Sequence, residues 1–323
     1  RLCSDFLPSL FNSLVAAGLM DVVGSSTGNE SGLERALRLE RIGECDIFTG
    51  QEEDRTPWGR VFGGQVLAQS LVAANVTVES GLSVHSLHAY FLLAGESGVQ
   101  ILFKVNRVRS GRSFATREVE AMQRNAAIFQ MSASFHRDEW GPTFQTPGRE
   151  LFAAARARQI DRVPDPDELL MKGNRPLPTH GADRSNSTET LPIADGRWWS
   201  LRWCRHRTRL PDAAHEAVLA WFSDVGMVST ASKPHKEGGD PFSMLYSLDH
   251  SIHFHSRFRA DEWLLFHTRC TVTFGARGLV RTEVFTRKGT LVATVTQEAL
   301  LRVRRDLQDA GMRASGQAGR ARL

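Results

Sequence analysis

Gly278-Leu279-Val280-Arg281-Thr282-Glu283-Val284-Phe285, the turn Lys288-Gly289, and Leu291-Val292-Ala293-Thr294-Val295-Thr296-Gln297-Glu298-Ala299-Leu300 decide how the chain is read. Both runs are rich in β-branched and apolar residues, so they read as an antiparallel hairpin turning at Gly289. The strand period of two puts Val292, Thr294, Thr296 and Glu298 on one face and Leu291, Ala293, Val295, Gln297 and Ala299 on the other. Gln297 therefore shares a face with an otherwise apolar set. A buried amide left unpaired costs roughly 1–3 kcal/mol, so Gln297 needs partners. The plain reading is a structural glutamine that ties down a neighbouring strand.

Working outward, strands are expected from 242 on, 222–228 opens a helix-like stretch, 213–221 is helical, and 198–205 is a strand. In the first half, 61–74 reads as a helix entered through Gly63-Gly64. Its apolar positions wrap around it, so it should be buried, and the glycines let another backbone or a ligand come close. Four strands follow, at 84–93, 99–110, 114–123 and 127–137. A buried helix followed by an antiparallel meander predicts an α+β fold in which the sheet wraps the helix.

Strand-like residues also occupy 37–50, behind an N-terminal arm, 1–34. The first unit is then 35–140 and the second 191–305. Between them, 141–190 holds Pro142, Pro147, Pro164, Pro166, Pro176 and Pro178 and reads as a connector with a short helix at 149–159. The polar tail, 306–323, is expected to be disordered.

The two units overlay as a tandem repeat. Arg117-Glu118-Val119 falls on Thr282-Glu283-Val284, residues 128–135 on 292–299, Ser86-Leu87-His88 on Ser247-Leu248-Asp249, and Phe62-Gly63-Gly64 on Phe222-Ser223-Asp224. Gly64 and Ala133 thus stand where the second copy has Asp224 and Gln297. Polar groups missing from one copy are not required by the shared fold, which moves Gln297 from a structural to a functional reading.

The 323 residues are 41% hydrophobic and 24% charged, as in an ordinary globular chain. A net charge of +4 suits an anionic small molecule. No basic run is interleaved with aromatics, so no nucleic-acid partner is expected. Cys3, Cys45, Cys204 and Cys270 form no Cys-x-x-Cys pair, which disfavours a zinc knuckle. No run reaches the ~18 apolar residues of a membrane span. The chain starts at Arg1, not Met, and leaves open whether a targeting segment precedes it. No Gly-x-Ser-x-Gly elbow and no Gly-rich phosphate loop after a strand is present, against an α/β-hydrolase and a nucleotide-cofactor enzyme. His250, His253 and His255 lack an evident third ligand and read as structural or pocket-lining, with no metal expected.

Several runs resemble the acyl-CoA thioesterase II family: Arg60-Val61-Phe62-Gly63-Gly64-Gln65-Val66, Val84-His85-Ser86-Leu87-His88-Ala89-Tyr90-Phe91, Ser110-Gly111-Arg112-Ser113-Phe114-Ala115-Thr116-Arg117 and Ser247-Leu248-Asp249-His250-Ser251-Ile252-His253-Phe254-His255. The resemblance covers roughly 37–303, interrupted at the connector. It implies a tandem double hotdog, and hydrolysis of fatty acyl-CoA to free fatty acid and CoA without a cofactor. The family's Asp, Thr or Ser, and Gln trio falls on Asp224, Ser247 and Gln297, which would hold and deprotonate a water. The competing reading of Asp224 is a helix N-cap. The competing function is a non-catalytic acyl-CoA-binding or sensing module; a hydratase finds no placed Asp-x-x-x-x-His motif. The resemblance and the exposed sheet edge also imply a homodimer or larger assembly. The final Ala321-Arg322-Leu323 is similar to a Ser-Lys-Leu peroxisomal address; without that signal the protein would be cytoplasmic.

Overall fold

The computed structural model describes residues 20–21, 32–50, 59–145, 163–177, 187–237 and 239–307. The short helix expected at 149–159, most of the polar tail and the terminal tripeptide lie outside them. The first half holds β1 (Met20–Asp21), helix α1 (Gly32–Leu37), β2 (Leu39–Arg41), β3 (Ile47–Gly50), helix α2 (Gly63–Asn75), β4 (Leu82–Phe91), β5 (Ile101–Ser110), β6 (Phe114–Gln123) and β7 (Ala126–Arg137). A short helix α3 (Pro166–Met171) follows. The second half holds β8 (Thr188–Asp195), β9 (Trp199–His206), helices α4 (His215–Asp224) and α5 (Met227–Ser232), β10 (Phe242–Ser247), β11 (Asp249–Phe254), β12 (Leu264–Phe274), β13 (Arg277–Thr286) and β14 (Leu291–Val303). The stretch read as a connector thus already contains the start of β8.

All the strands join one antiparallel sheet, in the order β1-β2-β3-β5-β6-β7-β4-β11-β14-β13-β12-β9-β8, with β10 also on β14. The order reads outward alike from the β4–β11 pair: β7-β6-β5 on one side, β14-β13-β12 on the other. Helix α2 lies on the first half-sheet and α5 on the second, while α4 packs along α2. This is the double hotdog arrangement implied by the resemblance.

The β13–β14 hairpin forms as expected, with Gly289 at φ 82°. Ala293, Val295, Gln297 and Ala299 are all buried on the inner face. Helix α2 is buried from Gly64 to Ala74, as its all-round apolar pattern requires. Each large apolar side chain there, Leu67 and Leu71 among them, contributes about 1.5–3 kcal/mol relative to exposure.

Register slips fix how the halves correspond. Between β5 and β6 the ladder slips at Arg107/Arg109, and between β12 and β13 at Cys270/Val272. Between β6 and β7 it slips at Ala121/Met122, bypassing Ile128; between β13 and β14 it slips at Val284/Phe285, bypassing Val292. Bulges at matching places make Ile128 the counterpart of Val292 and Ala133 that of Gln297, as the sequence overlay has it. They make Arg117 the counterpart of Val280 rather than Thr282. Val84, paired with Phe135, corresponds to Ser247, paired with Ala299; Ser86 does not. Strand alternation preserves faces through a two-residue shift, so periodicity alone could not detect these errors. The overlay of Gly64 on Asp224 also fails, because α5, not α4, occupies the place of α2 on its half-sheet.

Candidate active site

Asp224 is the last residue of α4, before Val225 and Gly226, the latter at φ 79°. No side chain caps the following helix α5, so the N-cap reading of Asp224 is overturned. Helix α4 is buried along almost its whole length by packing against α2. The glycines at the start of α2 make that approach possible. A Cβ on Gly64 would lie 2.8 Å from the Trp221 carbonyl oxygen, and one on Gly63 would lie 2.8 Å from Asp224 Oδ2. Asp224 is 8% exposed, and its carboxylate sits against the first turn of α2.

Ser247 ends β10 and Gln297 lies in the middle of β14. Gln297 Nε2 donates to Ser247 Oγ at 2.7 Å, and Ser247 Oγ donates to Asp224 Oδ1 at 3.5 Å. The structure thus brings together all three residues singled out from the sequence. The last contact is at the long limit of a hydrogen bond. Gln297 is fully buried, and its amide oxygen is met by His250 Nδ1 at 2.6 Å. His250 Nε2 in turn lies 2.8 Å from Ser223 Oγ, which is also 2.7 Å from the Ala220 carbonyl. Burial pushes the His250 imidazole below its ordinary pKa, opposed by the Asp224 charge, the Gln297 hydrogen bond and the Asp249 charge.

Asp224 and Ser247 border a cavity of about 1070 Å³, as large as the largest small-molecule sites, with Gln297 buried behind them. Val61, Phe62, Val66, Phe91 and Phe129 of the first half form apolar wall; Asp224, Ser247 and Tyr246 come from the second. The Arg60 guanidinium stacks 4.6 Å above the Tyr246 ring and also lines the cavity. The site therefore needs both halves: the first supplies apolar wall, and the second the polar line together with further apolar wall from Val225, Val228, Leu245, Leu248 and Leu300.

The profile described as acyl-CoA thioesterase matches residues 188–300, and that of the acyl-CoA thioesterase N-terminal domain matches 52–136. Human acyl-coenzyme A thioesterase 8 is 32% identical over 294 residues, covering 83% of this chain and 88% of that protein. The chain belongs to the acyl-CoA thioesterase family. Acyl-CoA thioesterase 2 of Haemophilus influenzae is likewise 32% identical, over 82% of this chain and 95% of its own length. The crystal structure of an acyl-CoA thioesterase II from Mycobacterium marinum superposes with a TM-score of 0.68 at 32% identity, covering 84% of this chain and 98% of that one.

In this thioesterase the three histidines read from the sequence as structural or pocket-lining diverge, and only His250 joins the polar line. His253 packs edge-on against His88, His255 Nε2 lies 2.8 Å from Thr294 Oγ1, and His250 turns inward. The signal was available: His250 falls in phase with Ile252 on the buried side of β11, a lone polar group among apolar ones, as Gln297 is on β14.

Proposed function

We propose that the protein hydrolyses fatty acyl-CoA thioesters to free fatty acid and CoA, with water as the attacking group. The convergence of Asp224, Ser247 and Gln297 beside a deep apolar cavity carries this reading. Asp224 takes a proton from a water that Ser247 and Gln297 help to hold. The resulting hydroxide attacks the thioester carbonyl carbon. The C–S bond then breaks, and the CoA thiolate takes the proton back from Asp224. General-base catalysis of this kind contributes typically about 10²–10⁴-fold. The amides of Gly63 and Gly64 are the donors assigned to the developing oxyanion, because they open α2 next to Asp224 and no side chain caps that helix. The first unit, 35–140, contributes apolar wall and these two backbone amides; the second, 191–305, contributes the side chains that hold and deprotonate the water.

The test is incubation of purified protein with palmitoyl-CoA and a thiol reagent. Release of CoA thiol is the expected outcome. Tight binding without release would return the protein to the non-catalytic binding reading.

We also infer a homodimer or larger assembly and a peroxisomal address. Exposed apolar side chains such as Val272 and Phe274 support the first, and Ala321-Arg322-Leu323 supports the second. Light scattering that finds only the mass of one chain, or a tail-bearing reporter that stays cytosolic, would reject the respective inference.

A further inference from the structure

Ser223, His250, Gln297, Ser247 and Asp224 form one unbroken line, with successive separations of 2.8, 2.6, 2.7 and 3.5 Å. A neutral imidazole has one N–H and a hydroxyl has one proton, so the line can run in only two directions. In the first, His250 Nδ1–H donates to Gln297 Oε1. The amide then presents Nε2 to the Ser247 oxygen, and the Ser247 proton points at Asp224. Ser223 donates to His250 Nε2. In the second, Nε2–H donates to Ser223, whose proton goes to the Ala220 carbonyl. Nδ1 is then a bare acceptor, so the Gln297 amide must turn over to donate to it. Its oxygen captures the Ser247 proton, and Asp224 loses that donor.

The first direction is favoured electrostatically. It turns the Ser247 proton toward the charged Asp224 carboxylate, 3.5 Å away, where the second turns it to a neutral amide oxygen and leaves the carboxylate without this donor. What it gives up is a neutral bond from Ser223 back onto its own helix. We infer that His250 is a positioning residue: its Nδ1–H locks the Gln297 amide with Nε2 toward Ser247, and so aims the Ser247 hydroxyl at Asp224. The first half supplies the comparison. There the counterparts of His250 and Gln297 are Leu87 and Ala133, directly opposite one another and both buried. The strand pair closes without an imidazole, so packing does not account for one in the second half. The inference rests on Asp224, Ser247 and Gln297 being the groups that hold the water.

Two measurements test it, with Gln297→Ala run alongside. Long-range ¹H–¹⁵N NMR of the wild-type protein, with the His250 signals assigned by their loss in His250→Asn, should show the Nδ1–H tautomer; the Nε2–H tautomer would overturn the inference. In kinetics, His250→Leu, which copies the first half, should lower kcat by about tenfold to a hundredfold, the worth of a hydrogen bond to a reacting centre, with KM little changed. His250→Asn places an amide N–H where Nδ1–H was and should recover most of kcat. Equal losses in Leu and Asn, or full activity in Leu, would reject the inference. If His250→Leu does not fold, the Asn variant and the tautomer decide it. Full kcat in Gln297→Ala would instead reject the water-holding reading itself. Loss in Gln297→Ala without loss in His250→Leu would reject only the role of His250.

Discussion

Gln297 Oε1 lies 2.6 Å from His250 Nδ1 on one side, and Gln297 Nε2 donates to Ser247 on the other, at 2.7 Å. A fully buried amide is thereby satisfied at both ends, and the free energy that an unpaired amide would cost is avoided. With the proton on His250 Nδ1, the amide has a single orientation.

Replacing Asp224 by Asn removes the proposed base and keeps the shape. kcat should fall by about 10²–10⁴-fold, with KM little changed. Asp224 caps no helix, so the melting temperature should stay near wild type. Near-normal kcat in a folded Asp224→Asn protein would end the catalytic assignment.

Gln297→Ala should lower kcat less, by about tenfold to a hundredfold, because one hydrogen bond near a charged or reacting centre is worth roughly 1.5–3 kcal/mol. It also strands His250 Nδ1, so a lower denaturant midpoint should accompany the kinetic loss. Steady-state kinetics and urea titration on the same preparation separate the two effects.

Gly64→Ala tests the close packing of α2 on α4. The new methyl would meet the Trp221 carbonyl at 2.8 Å and the Phe62 ring at 2.5 Å. A ring can swing away, but a helix backbone cannot, so overpacking should cost about 1–3 kcal/mol and outweigh the better helix propensity of alanine. Unchanged stability by urea titration would show that the two helices can part.

Asp46 offers a pH test remote from the site. Its hydrogen bonds from Arg107, against the opposing effect of burial and with added help from the Arg107 charge and from Arg41, hold its carboxyl below the ordinary value of 3.8. A depressed folded-state pKa gives stability that is present above the unfolded value and lost as pH falls through the folded one. Asp46→Asn should therefore destabilise the protein at neutral pH by about 1 kcal/mol, since both arginines are partly exposed. The difference from wild type should shrink as pH drops below 3.8. A gap that persists in acid would mean that the loss is not electrostatic.

Much of this was legible in the sequence because it depends on period and composition. The β6 and β7 strands, the buried helix behind Gly63-Gly64 and the inward face of Gln297 all follow from alternation or from a missing side chain. The bulges do not, since a bypassed Ile128 or Val292 looks like any other strand residue. That is why Ser86 was laid on Ser247 when Val84 is its counterpart. The end of α4 was also missed. Ser223 and Asp224 stay buried at the end of α4, and the chain leaves the helix at the extended Val225, which as a β-branched residue carries no stop signal, before Gly226. For His250, read with His253 and His255 as structural or pocket-lining, alternation along β11 gives burial but not its partners Ser223 and Gln297, which come from other elements.

Part of the cavity wall comes from the half that carries none of the polar line. Two kinds of inheritance are thereby uncoupled. Substitution at Val61, Val66 or Phe129 would reshape the space offered to an acyl group while leaving Asp224, Ser247 and Gln297 in place.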